Sequence, residues 1–133
     1  MFDRLFNRRK WLSSDIKRLG RWAEKRAERY LRRKGLKLLA RNYSWSGGEI
    51  DLVMVGADGA VVFVEVRCRA EEFYASPEST ITDLKRTKLL RTADYFLTKH
   101  NIESRPLRFD FVAVVPGRAG KVRIRHHEGV FQP

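Results

Sequence analysis

Apolar and polar positions change period several times along the chain, and each change marks an expected element. From Asp15 to about Lys34, Ile16, Leu19, Ala23, Ala27, Tyr30 and Leu31 recur at helical spacing, which predicts an amphipathic helix. Ser13 or Ser14 is the expected N-cap, Asp15 sits favourably in the first turn, and Gly35 supplies the stop. Leu36 to Asn42 alternates and reads as a strand, and Tyr43 to Gly48 reads as a loop. Two nearly continuous apolar strands follow, Gly48 to Val55 and Val61 to Arg67, joined by a Gly56–Gly59 turn. A second helix is expected from a cap at Ser79, Thr80 or Thr82 to about His100. Its core face is Leu89, Ala93, Phe96 and Leu97, with Leu84 or Leu90 at the margin. Leu107 to Val115 is an apolar strand containing Asp110, and Lys121 to His126 alternates as an edge strand with one wet face does. A helix between the strands at 61 and 107 implies that those two run parallel. The order αβββαββ defines an α/β class with a mixed central sheet flanked by helices. Residues 1–14 read as a basic N-terminal arm and 15–133 as a single domain.

The two central strands each carry an acid in an apolar run. A carboxylate there is costly to bury unless it is paired, hydrogen-bonded or bound to a cation. Alternation puts Ile50, Leu52 and Met54 on one face of the first strand and Glu49, Asp51, Val53 and Val55 on the other. On the second strand Phe63, Glu65 and Arg67 share a face. A register placing Asp51 opposite Glu65 is expected, and it brings two carboxylates and one cation to one side of the hairpin; a one-residue slip would separate them. An Asp followed later by Glu-x-Arg has the shape of the metal-dependent nuclease signature, in which the acids hold Mg²⁺ and the cation orients or activates water.

Charge adds a partner to this picture. Residues 1 to 37 hold 14 Lys/Arg and 4 Asp/Glu, a net of +10, whereas the other 96 residues net only +2. Such density favours a polyanion, most of all nucleic acid. A solvated basic helix and an anionic membrane surface are the other readings. Arg18, Arg21, Lys25 and Arg29 on the first helix, with Arg41, Arg69 and Lys85 nearer the strands, are the candidate nucleic-acid contacts. No apolar run reaches the length of a membrane span, and no secretory signal is expected. The single cysteine, Cys68, allows no internal disulfide, which fits a reducing, cytoplasmic setting.

Other residues carry paired readings. Glu24 falls at the edge of the helix's apolar stripe, where it either reaches the strand acids or pairs with a neighbouring arginine. Glu28 lies in the basic face and reads as a charge partner within the helix. Tyr43 and Trp45 either stack on bases or, the favoured reading, cover the core. The basic start of the second helix is either a phosphate site or a solvated turn. Adjacent His126 and His127 face opposite ways on a strand, so zinc is not indicated.

Several of these stretches, taken together, resemble the YraN-like family of bacterial proteins. They are Gly20-x(3)-Glu24-x(2)-Ala27-x(2)-Tyr30-Leu31, Ala40-Arg41-Asn42-Tyr43, Gly48-Glu49-Ile50-Asp51-Leu52-Val53, and Val62-Phe63-Val64-Glu65-Val66-Arg67-x-Arg69. Lys85 leading into Ala93-x-Tyr95-Phe96-Leu97, and Arg108-Phe109-Asp110, complete the pattern over roughly residues 18 to 115. That family is grouped with the restriction-endonuclease-like, or PD-(D/E)xK, superfamily, whose smaller members include Holliday-junction resolvases. The resemblance implies a restriction-endonuclease-like fold, a Mg²⁺ or Mn²⁺ site formed by Glu24, Asp51 and Glu65, and the position of Arg67 as the base-type residue. Homodimeric assembly is an option of the same group. The family pattern usually has lysine where this chain has Arg67. Arginine stays protonated, so Arg67 is expected to orient water or stabilise charge rather than take a proton.

The expected function is therefore metal-dependent phosphodiester hydrolysis on DNA, with branched or otherwise structured DNA among the substrates. The alternative is a nucleic-acid-binding module that keeps the nuclease fold without the chemistry, with Arg67 as an internal salt-bridge partner. A protein-assembly domain is a third, weaker reading.

Overall fold

Among the described residues, five strands lie in the order β1-β2-β3-β4-β5, with one helix on each face of the sheet. The computed structural model describes residues 8–68 and 81–131, with side chains from residue 17 onward except Arg118. The elements are α1 (Arg8–Arg33), β1 (Lys37–Trp45), β2 (Gly48–Val55), β3 (Val61–Cys68), α2 (Asp83–Lys99), β4 (Leu107–Pro116) and β5 (Val122–Phe131). The sheet is mixed: β3 and β4 are parallel across α2, and the other pairs are antiparallel. This is the expected α/β class and order.

The helix α1 starts at Arg8, not near Asp15, so it takes in residues 8–14 of the expected arm, and Ser13 and Ser14 lie inside it. An N-cap is worth only about 1 kcal/mol, and the good helix formers upstream outweigh it. The stop is as expected. Gly35 has φ +99°, and the Gly35 N–H and Leu36 N–H donate to the carbonyls of Arg32 and Leu31. This paired pattern closes the helix and brings Leu31 against Leu36. Ala23, Ala27 and Leu31 pack on Leu52, Met54, Val62, Val64, Val66, Val112 and Val114. Leu19 is exposed, because the sheet underlies the helix only from Ala23 on.

The strand β1 runs on to Trp45, through the stretch expected as a loop, and a two-residue Ser46-Gly47 turn leads to β2. Aromatic residues suit a pleated surface, and these two pack on α2: Tyr43 edge-on to Phe96, Trp45 stacked on Tyr95 with centroids 4.6 Å apart. Packing is thus the role the fold gives both rings. The helix α2 is capped by Thr82, whose hydroxyl accepts the Lys85 N–H; Ser79 and Thr80 lie outside the described residues. Leu89, Ala93 and Phe96 meet Ile50, Val53, Val61, Phe63 and Phe109 on the sheet face opposite α1. Leu90 is half-buried and Leu84 is exposed. The central strand β3 is buried on both faces from Val61 to Val66. The edge strand β5 is longer than expected, reaching Phe131.

Candidate active site

The site forms where the β2–β3 ladder ends. The register pairs Val55 with Val61, Val53 with Phe63 and Leu52 with Val64, so Asp51 stands opposite Glu65 at the next position. There the Asp51 carboxylate accepts the Val66 N–H at 2.8 Å, so a side chain enters the ladder. The expected alternation fails at this point. Ile50 and Leu52, two residues apart, pack in the clusters on opposite faces. Opposite Asp51 on β1, Asn42 has φ +48°, and past this irregularity Ile50 joins Val53 under α2.

Glu65 is buried, and two cations reach the same oxygen. Arg67 Nη1 lies 2.7 Å and Lys85 Nζ 3.0 Å from Glu65 Oε1. The first cation comes from the same face of β3, the second from the first turn of α2. Burial, the charge of Glu65 and that of Glu24 push the Asp51 carboxyl up to about 7, against the Val66 N–H and Arg67. Burial and Glu49 push Glu65 up as well, against Arg67. Glu24 on α1 is raised by burial and by Glu49 and Glu65, with the Asn42 side chain and Arg21 opposing. Both the strand acids and Arg21 thus act on Glu24. Glu49 belongs to the same charge cluster; its position two residues before Asp51 was the signal for it.

A cleft on the α2 side is lined by Asp51, Glu65, Arg67, Lys85 and Lys88, with Trp45 and Glu49 at its rim. Glu24 does not line that cleft; it lines another, between α1 and β1. Arg21, Lys25, Arg29 and Arg41 line this second cleft, Arg18 is exposed on α1, and Arg69 lies outside the described residues. Glu28 is not a simple helix surface partner. It is buried and accepts from Arg41 Nε and Nη2 and from Arg32 Nη1.

Among the described residues, no three His, Cys, Asp or Glu side chains converge closely enough to form a complete metal cage. What converges is a carboxylate pair. The Val66 N–H meets it at Asp51 Oδ2, and Arg67 and Lys85 meet it at Glu65 Oε1; two carboxylates are a donor set that suits a hard cation. Mg²⁺ is held in this way, by one or two carboxylates with waters and phosphate oxygens completing the shell.

A second buried acid, unassigned from sequence, is structural. Asp110 accepts from Arg108 through both oxygens, from the Gly129 N–H, and from His126 Nε2 at 2.7 Å. Burial raises its carboxyl, but these donors outweigh burial and hold it below the ordinary range. Lys34 Nζ is 3.0 Å from His126 Nδ1. Lysine only donates, so Nδ1 accepts and Nε2 carries the proton directed at Asp110.

A small mixed α/β domain with two carboxylates brought together where the β2–β3 ladder ends, and a basic cleft against its first helix, is the class that fold and site define. The chain belongs to the Uncharacterised protein family UPF0102, whose pattern matches residues 23–114 and which is the YraN-like family expected from the motifs. A UPF0102 protein of Marinobacter nauticus is 37% identical over 116 residues, covering 87% of this chain and 94% of that protein. One from Roseiflexus castenholzii is 44% identical over 111 residues, covering 82% and 89%. One from Cupriavidus necator is 46% identical over 100 residues, covering 74% and 75%. Among the described residues no helix is long and apolar enough to cross a membrane.

Proposed function

We propose that this protein is a metal-dependent nuclease of the restriction-endonuclease-like type, hydrolysing phosphodiesters in DNA. The observation that carries the reading is the Asp51–Glu65 pair, two carboxylates held face to face and both raised by burial. A divalent cation would relieve that repulsion, so the donor set fits Mg²⁺ or Mn²⁺. Asp51 and Glu65 would hold the ion, with Glu24 acting through water. Bound there, the ion would activate water and polarise a phosphate oxygen.

The chain's own residues supply the rest. Arg67 and Lys85 hold Glu65 in place and put two positive charges beside the reacting phosphate, where negative charge develops. Arg67 cannot take a proton, so its work is electrostatic and positional. The Val66 N–H fixes the rotamer of Asp51. Trp45 Nε1 donates to Thr92 Oγ1 at 2.8 Å, tying the β1–β2 turn to α2 and steadying the rim.

The test is cleavage of end-labelled linear, single-stranded and four-way-junction DNA with Mg²⁺ or Mn²⁺, wild type beside Asp51→Ala. Metal-dependent product that disappears in the variant supports the nuclease. Product that survives Asp51→Ala overturns the site.

The Arg67–Glu65 ion pair also favours a second reading, a DNA-binding module without hydrolysis, in which the pair only satisfies a buried acid. That reading expects salt-sensitive binding and no effect of Mg²⁺ on melting.

A further inference from the structure

The cleft between α1 and β1 has a volume of about 720 Å³. Arg21, Lys25, Arg29, Arg32 and Arg33 line it from α1, and Arg41 lines it from β1. Among the described residues these six cations face two carboxylates, Glu24 and Glu28. We propose that this cleft is a track for the phosphate backbone of a single nucleic-acid strand; that the same strand also reaches the acid site rests on the nuclease reading.

Three observations converge. First, cations stand on both walls. A duplex resting on the surface would meet one basic face, whereas opposed basic walls enclose one strand. The volume is that of a small-molecule pocket, enough for a few nucleotides. Second, Arg21, Lys25 and Arg29 are each four residues apart, which spaces them about 6 Å along the helix. That is comparable to the repeat of phosphates along an extended strand.

Third, the arginines are set before any ligand arrives. Glu28 is 8% exposed and grips Arg41 through two nitrogens and Arg32 through one. A guanidinium gripped along one edge keeps its other N–H groups for phosphate, and its ordering cost is already met. Simple charge compensation would not require a buried acid reaching across two elements. No aromatic side chain lines the cleft among the described residues, so the contacts expected are with backbone and independent of sequence.

The experiment is fluorescence anisotropy in EDTA with two labelled probes of equal length, a blunt duplex and a duplex with a single-stranded tail. Wild type is expected to bind the tailed probe at least ten-fold tighter. Lys25→Glu/Arg29→Glu should abolish that preference and lower the salt slope on the tailed probe by about 0.7 per cation removed. Arg105→Glu/Lys121→Glu, the same charge change at exposed sites outside the cleft, should weaken both probes equally and keep the preference. Glu28→Gln, which loosens the two arginines without reversing charge, should cost tail affinity several-fold. It serves with Lys25→Ala/Arg29→Ala if the double reversal fails to fold. Equal affinity of wild type for both probes, or equal loss on both in the cleft variant, overturns the track. The assay is blind to hydrolysis. A tail preference with no cleavage keeps the track and removes the nuclease, and cleavage without preference does the opposite.

Discussion

The Asp51 carboxylate accepts the backbone N–H of Val66 at 2.8 Å, so a titratable side chain takes a place at the end of the β2–β3 ladder. The hydrogen bond holds Asp51 toward Glu65 in a buried setting that raises both carboxyls.

This arrangement makes stability depend on pH in a definite direction. A carboxyl whose folded value is raised binds protons more tightly in the fold than in the unfolded chain. Its stabilisation is complete below about pH 4 and is lost as pH rises through about 7, the value for both acids. Asp51→Asn should therefore raise stability at pH 8 by about 1–2 kcal/mol in EDTA and by clearly less at pH 5. Mg²⁺ should raise the Tm of wild type at pH 8 far more than at pH 5, and should not raise that of the variant. Melting curves at the two pH values check both statements; an equal Mg²⁺ effect on wild type and variant counts against the metal site.

Lys85 and Arg67 meet at one oxygen of Glu65 but should not be equivalent. Removing a cation that faces developing charge costs about 100-fold in kcat, so Lys85→Met should lower cleavage by that order with DNA binding nearly kept. Arg67→Lys preserves the charge and adds a group that can titrate, and it should retain or raise the rate. Single-turnover cleavage separates chemistry from binding. A Lys85→Met enzyme at full rate would show that Lys85 only neutralises Glu65.

Asp110 should govern the stability of the protein in acid. Removing one partner of a buried ion pair costs about 3–5 kcal/mol, so Asp110→Ala should destabilise by that order in chemical denaturation. Because donors hold the Asp110 carboxyl below its ordinary value, its contribution is present above about pH 4 and is lost as pH falls through the lower folded value. The wild-type denaturation midpoint should drop steeply in that acid range, and the variant's should be flatter.

Gly48 should resist substitution both through space and through its backbone, whose φ is +157°. A Cβ there would lie 2.7 Å from Thr92 Oγ1 and 3.5 Å from the Lys88 carbonyl, and Thr92 Oγ1 also receives the Trp45 indole. Overpacking of this kind costs about 1–3 kcal/mol. Gly48→Ala should lower the Tm and shift Trp fluorescence, while Gly59→Ala, which meets no neighbour but has φ +86°, should lower the Tm without the spectral change.

The elements most legible in the sequence were those set by near neighbours. Gly35 ends α1, Thr82 caps α2, and the apolar runs around Asp51 and Glu65 give β2 and β3, because turn chemistry and periodicity act over a few residues. The helix start at Arg8 and the reach of β1 to Trp45 were misplaced, since a weak local cap and a loop-like Ser/Gly composition yielded to helix propensity and to packing on α2.

By itself the sequence determined the order of elements, the mixed sheet, and an acid in the middle of each of two adjacent strands. It also determined that positive charge would concentrate on the first helix. Only the tertiary structure decided that Ile50 leaves its expected face, that Lys85 crosses from α2 to share an oxygen with Arg67, and that Glu28 is buried to grip Arg41. It likewise joined Asp110 to His126 across β4 and β5. The reason is physical: periodicity constrains direction along one element, whereas a buried charge selects its partner from whatever the packing of distant elements brings within hydrogen-bond reach.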